Sequence, residues 1–133
     1  MQILAALFVE TIDQRTVPGP ATRIDLGGVM FSLAAPSAPP VTVSPHLVVI
    51  VRCGAAESGT DVLEVVFRDA AGEQVARNVQ PLQVEPGKFN YRLVRADLTF
   101  ETLGTIEAHC RLDLGPVTVV PYTLLAPVEG PPA

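Results

Sequence analysis

Hydrophobic and polar residues alternate in twos along most of this chain rather than at the 3.6-residue spacing of a helix. From His46 to Cys53, Leu47, Val49, Val51 and Cys53 share one parity and Arg52 lies on the other. Leu63, Val65 and Phe67 alternate with Glu64 and Arg68. Phe89, Tyr91 and Leu93 alternate with Asn90 and Arg92, and Ile106 to Leu112 keeps the pattern over seven positions. Successive side chains of a strand point to opposite faces, so each segment predicts a strand with one face in a core and one in water. Tyr91, in phase with Phe89 and Leu93, is expected in that core.

Two segments, Ile3 to Val9 and Leu47 to Val51, are apolar on both parities. They read as central strands, or as strands whose outer face is covered, and an oligomer contact is one such cover. Turn residues separate the runs. Val17-Pro18-Gly19-Pro20 divides the first strand from the second, Asp69-Ala70-Ala71-Gly72 predicts a hairpin with Gly72 left-handed, and Asp113-Leu114-Gly115-Pro116 is another turn. Pro36 to Pro45 predicts a loop, since its prolines remove backbone donors. Ile24 and Leu26 have even parity, whereas Val29, Phe31 and Leu33 have odd parity, and the phase change falls at Gly27-Gly28. A β-bulge inside one strand is the expectation there. A phosphate-cradling loop would need a helix to follow, and none is patterned. Pro121, inside the strand Val117 to Leu125, is expected at a sheet edge or a bulge. A helix over Asp61 to Asn78 would put Val62, Val65, Val66 and Asp69 on one face, but Gly72 and the β-branched run oppose it.

About eight strands at this spacing predict an all-β fold, a single immunoglobulin-like antiparallel β-sandwich of about 7–9 strands. It is expected over residues 1–126, with a disordered tail at 127–133. The length of 133 residues suits one domain, and 48% hydrophobic content is too high for disorder. A net charge of −5, with Lys88 the only lysine, argues against nucleic acid or an anionic membrane as partner. No positive n-region precedes the short N-terminal apolar run and no stretch of about 20 apolar residues exists, so a soluble, cytoplasmic protein is expected.

No catalytic, cofactor-binding or metal-binding residue emerges. Ser32, Ser37, Ser44 and Ser58 lie in no Gly-x-Ser-x-Gly elbow. Cys53 and Cys110 read as buried thiols of a reducing compartment, with a disulfide between them as the alternative in an oxidising one, and not as a zinc pair. His109 adjoins Cys110 and His46 lies seven residues before Cys53, so alternation sends each histidine away from the neighbouring thiol. Asp69 and Glu73 flank a turn without the intervening ligands of a calcium loop. Glu64, Asp69, Glu85, Asp97, Glu101 and Glu107 are expected on solvent faces, without the cleft and sugar-stacking aromatics a glycosidase needs. Arg68, Arg77, Arg92, Arg95 and Arg111 lie at outward or strand-end positions. They are read as a solvated face, with anion or acidic-partner binding as the alternative.

The order of Asp25-Leu26-Gly27-Gly28-Val29, the proline-rich loop, Leu47 to Arg52, Leu63 to Glu73 and Gly104 to Cys110 resembles small bacterial β-sandwich proteins grouped as a domain of unknown function. The resemblance covers most of residues 1–126 and implies an immunoglobulin-like sandwich without assigned catalytic residues. True immunoglobulin domains differ: the core Trp is missing, and Ala108 stands where a tyrosine corner would put Tyr. The function expected is non-catalytic, through protein–protein contact, with self-association as a homo-oligomer included. The alternatives are a small-ligand or anion-binding domain and, least favoured, a hydrolase or metalloenzyme. No cofactor is expected.

Overall fold

A computed structural model describes residues 1–128. It contains twelve strands and, among the described residues, no helix. Strands β1 (Gln2–Val9), β6 (His46–Arg52) and β9 (Phe89–Arg95) form a three-stranded sheet in the order β1-β6-β9. Strands β4 (Ser32–Ala34), β12 (Thr118–Leu125), β11 (Gly104–Leu112), β7 (Thr60–Arg68) and β8 (Gln74–Gln83) form a five-stranded sheet in that order. β2 (Thr11–Arg15) pairs with β3 (Arg23–Gly27), and β5 (Val41–Val43) with β10 (Leu98–Phe100). All ladders are antiparallel except β4 with β12.

The core lies between the two large sheets. Phe8, Leu47, Val49 and Val51 from one side meet Leu63, Val65, Phe67, Ile106, Ala108, Cys110, Val120 and Tyr122 from the other. Phe8 and Tyr122 make an edge contact across the layers, with ring centroids 4.9 Å apart. The alternation read in Leu47 to Cys53, Leu63 to Phe67 and Ile106 to Leu112 therefore selects the core side as expected. β6 is the central strand of its sheet, whereas β1, equally apolar on both parities and expected to be central or covered, is an edge strand. Asp69 to Gly72 forms the expected turn: Gly72 has φ 82°, its N–H reaches the Asp69 carbonyl at 2.9 Å, and the Asp69 carboxylate accepts from the N–H groups of Ala71 and Glu73. Asp61 to Asn78 is the strand hairpin β7–β8. Pro121 lies where β4 no longer flanks β12: that pairing covers Thr123 to Leu125 only. The Thr123 N–H donates toward β4, so the nitrogen of Pro121, two residues back, faces the open edge, where no donor is required.

Four expectations change. The strand count is twelve rather than seven to nine, so the structure establishes a sandwich but not the immunoglobulin-like connectivity. The Pro36–Pro45 loop contains β5, which pairs with β10. Gly27-Gly28 is not a bulge within a strand. β3 ends at Gly27, Gly28 turns with φ 63°, and the chain passes into the five-stranded sheet at β4, so the parity changes because the sheet changes. Tyr91 is half-buried outside the core: it pairs with Ile50, and Phe89 and Leu93 pair with Arg52 and Val48, all on the outer face of the three-stranded sheet. Of the expected tail, Pro127 and Val128 are exposed and in no element; residues 129–133 lie outside the described residues.

The outer face of the three-stranded sheet is apolar: Leu7, Val48 and Leu93 form one row and Ala5, Ile50 and Tyr91 the next. Val48 is 0% exposed. The β2–β3 hairpin covers it. Glu10 donates its N–H to the carbonyls of Gly27 and Gly28, which fixes the base of the hairpin beside Val9. Its tip, Pro20 to Thr22, shares a cleft with Leu4, Arg52 and Phe89 at the opposite end of the sheet. Ile12, Ile24 and Leu26 are half-buried while Thr11, Asp13, Asp25 and Arg15 are exposed, so the apolar side of the hairpin faces the sheet. The hairpin thus buries Val48 and leaves Ala5, Leu7, Ile50, Tyr91 and Leu93 half-buried.

Candidate functional site

With the β2–β3 hairpin over one outer face, the broad face without a covering element among the described residues is the outer side of the five-stranded sheet. Core-facing residues on β7, β11 and β12 leave Val62, Glu64, Val66 and Arg68, then Glu107, His109 and Arg111, then Val119 and Pro121 pointing outward. β8 adds Arg77 and Val79, opposite Val66 and Glu64. Val62, Val79 and Val119 are exposed although apolar.

Charges of opposite sign stand side by side on this face. Register puts Glu107 beside Arg68, His109 beside Val66 and Arg111 beside Glu64. Glu64 accepts from Arg77 Nη2 at 2.7 Å and lies 3.7 Å from Arg111 Nε. The Arg77 hydrogen bond, with the nearby charges of Arg111 and Arg68, holds the Glu64 carboxyl below its ordinary pKa despite partial desolvation. Arg68 donates to the Gly72 carbonyl, and Glu107 lies 3.4 Å from His109 Nε2. Arg68 and Glu107 therefore stand opposite each other without forming an ion pair. The buried His109 Nε2 and Arg111 Nε have no hydrogen-bond partner among the described residues.

The arginines noted in the sequence divide between sheets: Arg68, Arg77 and Arg111 share this face, whereas Arg92 and Arg95 lie on β9. The nucleophile and metal candidates are separated. His46 pairs with Val9 and Arg95 on the outer side of one sheet, and His109 lies on the outer side of the other. Cys53 and Cys110 are free thiols in the core between them, and burial pushes the Cys110 thiol up to about 12. Ser44 donates to Asp97. Asp69, Asp97 and Glu101 line a groove of about 500 Å³ between the β7–β8 turn and the β10–β11 connection. Among the described residues no three His, Cys, Asp or Glu side chains are placed to hold a metal. No described helix is long and apolar enough to cross a membrane.

A second feature is the cleft of about 340 Å³ at the hairpin tip. A β-bulge between Ile3 and Ala5 turns Leu4 outward, leaving it 51% exposed. Leu4 and Phe89 give the cleft an apolar floor, and Arg52 and Lys88 give it two cations. Lys88 pairs with Glu85 at 2.9 Å; Arg52 has no acidic partner among the described residues.

The sequence reading missed the hairpin and its cleft. The signal was present: Ile12, Ile24 and Leu26 alternate with charged residues on both sides of Pro18-Gly19-Pro20. Comparison with protein-family models, curated proteins and solved structures gives no match.

Proposed function

We propose that this protein is a non-catalytic β-sandwich that acts by protein–protein contact through the outer face of its five-stranded sheet. The observation that carries this reading is the contrast between the two outer faces. One is apolar and partly screened by the chain's own hairpin, with Val48 buried beneath it; the other presents exposed valines among arginines and carboxylates and has no covering element among the described residues. Valine side chains supply area to bury, and the charged residues between them set register and partner choice. A photo-crosslinking residue at Val119, compared with one at Asp13 on the exposed side of the hairpin, tests it in cells of the native host. Covalent protein adducts are expected from position 119 and not from position 13; adducts from neither, or from 13 alone, contradict it.

A second reading rests on the hairpin cleft. Its apolar floor and unpaired Arg52 suit a small apolar carboxylate. In thermal-shift screening, medium-chain and aromatic carboxylates should raise the melting temperature, since binding stabilises the fold by about 2.7 kcal/mol at a hundredfold excess over Kd. Arg52→Ala should abolish the shift. No shift with any carboxylate removes this reading.

A further inference from the structure

The charges on the five-stranded face are arranged so that the face is complementary to itself, and we propose that its occupant is a second copy of this chain, docked face to face about a two-fold axis running along the strands between β7 and β11. This rests on the contact reading above and names its partner.

The four central charges occupy the corners of a rectangle. On β11, Glu107 is negative and Arg111 positive; on the antiparallel β7, Arg68 lies beside Glu107 and Glu64 beside Arg111. Signs therefore alternate both across the strands and along them. Rotation by 180° about an axis in the interface, parallel to the strands, exchanges β7 with β11 while keeping each row at its own height. Arg68 then faces the partner's Glu107, and Glu64 faces the partner's Arg111. Each of these four charges meets its opposite, giving four pairs, because an isologous interface repeats each contact. The middle row sets Val66 against the partner's His109. β8 is carried over β12, so Arg77 lies against the partner's Val119.

Two observations favour this occupant. Arg68 and Glu107 are neighbours in register that make no ion pair with each other, so each keeps charge to offer across the interface. The face is also near neutral, with three arginines against two glutamates in a chain of net charge −5, so two copies that meet there keep the acidic excess of the rest of the molecule away from the contact. Packed sheets stand about 10 Å apart, a gap that facing Arg and Glu side chains span. Under this axis β12, β11, β7 and β8 overlap and β4 does not; four strands about 4.8 Å apart, over about six residues of about 3.4 Å rise, give a footprint on the order of 400 Å² per copy. That is below the standard size for a specific interface, so weak association, measurable only at high protein concentration, is expected.

Charge reversal tests the register. Arg68→Glu and Glu107→Arg, made in separate chains, each place like charges opposite each other twice in a homodimer, and sedimentation equilibrium should show association at least tenfold weaker than in the wild type. Mixing the two variants puts the two carboxylates of one against the two guanidinium groups of the other and should restore a one-to-one dimer of wild-type strength. That recovery also shows that both variants fold. If either variant fails to fold by circular dichroism, the salt dependence of the wild-type dimer replaces it, and about 1 M salt should weaken association several-fold. A wild type that stays monomeric, variants that associate unchanged, a mixture that stays monomeric, or a dimer insensitive to salt overturns the proposal. Crosslinks from Val119 to a different protein would then leave the contact reading standing, whereas their absence would remove both.

Discussion

Val48 distinguishes a covered face from an open one. Its side chain points away from the sandwich core, in a row with Leu7 and Leu93, yet it is 0% exposed. Val48→Thr keeps the shape and the β-branching and replaces one methyl by a hydroxyl. On an open sheet face such a change stays within about 0.5 kcal/mol. Under the hairpin the covering side presents Ile12, Ile24 and Leu26, with Gln14 exposed on the same face, and burying the hydroxyl without a partner costs about 1–3 kcal/mol. At this chain length that lowers Tm by roughly 4 °C per kcal/mol. Val119→Thr, on the exposed outer face of the five-stranded sheet, is the internal control and should be nearly neutral. Urea unfolding of both variants, with m unchanged, gives the comparison. Equal stabilities for Val48→Thr and Val119→Thr would refute the claim that the hairpin covers the face.

Three further outcomes follow from the same geometry. Cys53 and Cys110 should be inert to a thiol reagent at mildly alkaline pH in the native protein and react together on unfolding, since both are fully buried and the Cys110 thiol is raised to about 12; prompt native labelling of either would contradict this. Glu64 should titrate below an ordinary glutamate by carbon-detected NMR, and Arg77→Met should move it back up. Its folded pKa is depressed, so its contribution to stability is present above the ordinary glutamate pKa and lost as pH falls through the depressed value; an unmoved titration in Arg77→Met would argue against the pairing. Gly59→Ala should cost about 2 kcal/mol or more in chemical denaturation, because φ is 81° and the new Cβ would stand 2.8 Å from the Val84 carbonyl oxygen; a neutral result would contradict that backbone geometry.

Period-two alternation made the layers legible where one face is dry and the other wet. Leu63 to Phe67 and Ile106 to Leu112 select the core side correctly because their outward neighbours, Glu64, Glu107 and Arg111, are charged. It misled where both faces are dry. Phe89, Tyr91 and Leu93 alternate with Asn90 and Arg92, yet this apolar parity packs under the hairpin, and the core side of β9 is filled chiefly by Val94. Parity shows that two faces differ, not which of two apolar environments a face meets. The same limit hid the role of Ile3 to Val9, whose cover comes from residues 11–27, and it made the crossing from β3 to β4 look like a bulge at Gly27-Gly28. β5 escaped notice because Val41 to Val43 is too short to carry a period. On the candidate site, the outward placement of Arg68, Arg77 and Arg111 was readable. Their crosswise arrangement with Glu64 and Glu107 was not, because it depends on the β7–β11 register, which local sequence does not set.

Carbene footprinting of the purified protein, in dilute and in concentrated solution, compares the two outer faces directly. Val48 should stay unlabelled throughout. Val79 and Val119 should label strongly when dilute and lose label as copies associate. Labelling of Val48 at the level of Val119, or equal labelling of Val119 at both concentrations together with a lack of crosslinks from that position, would contradict a sandwich that covers one face with its own hairpin and keeps the other for a partner.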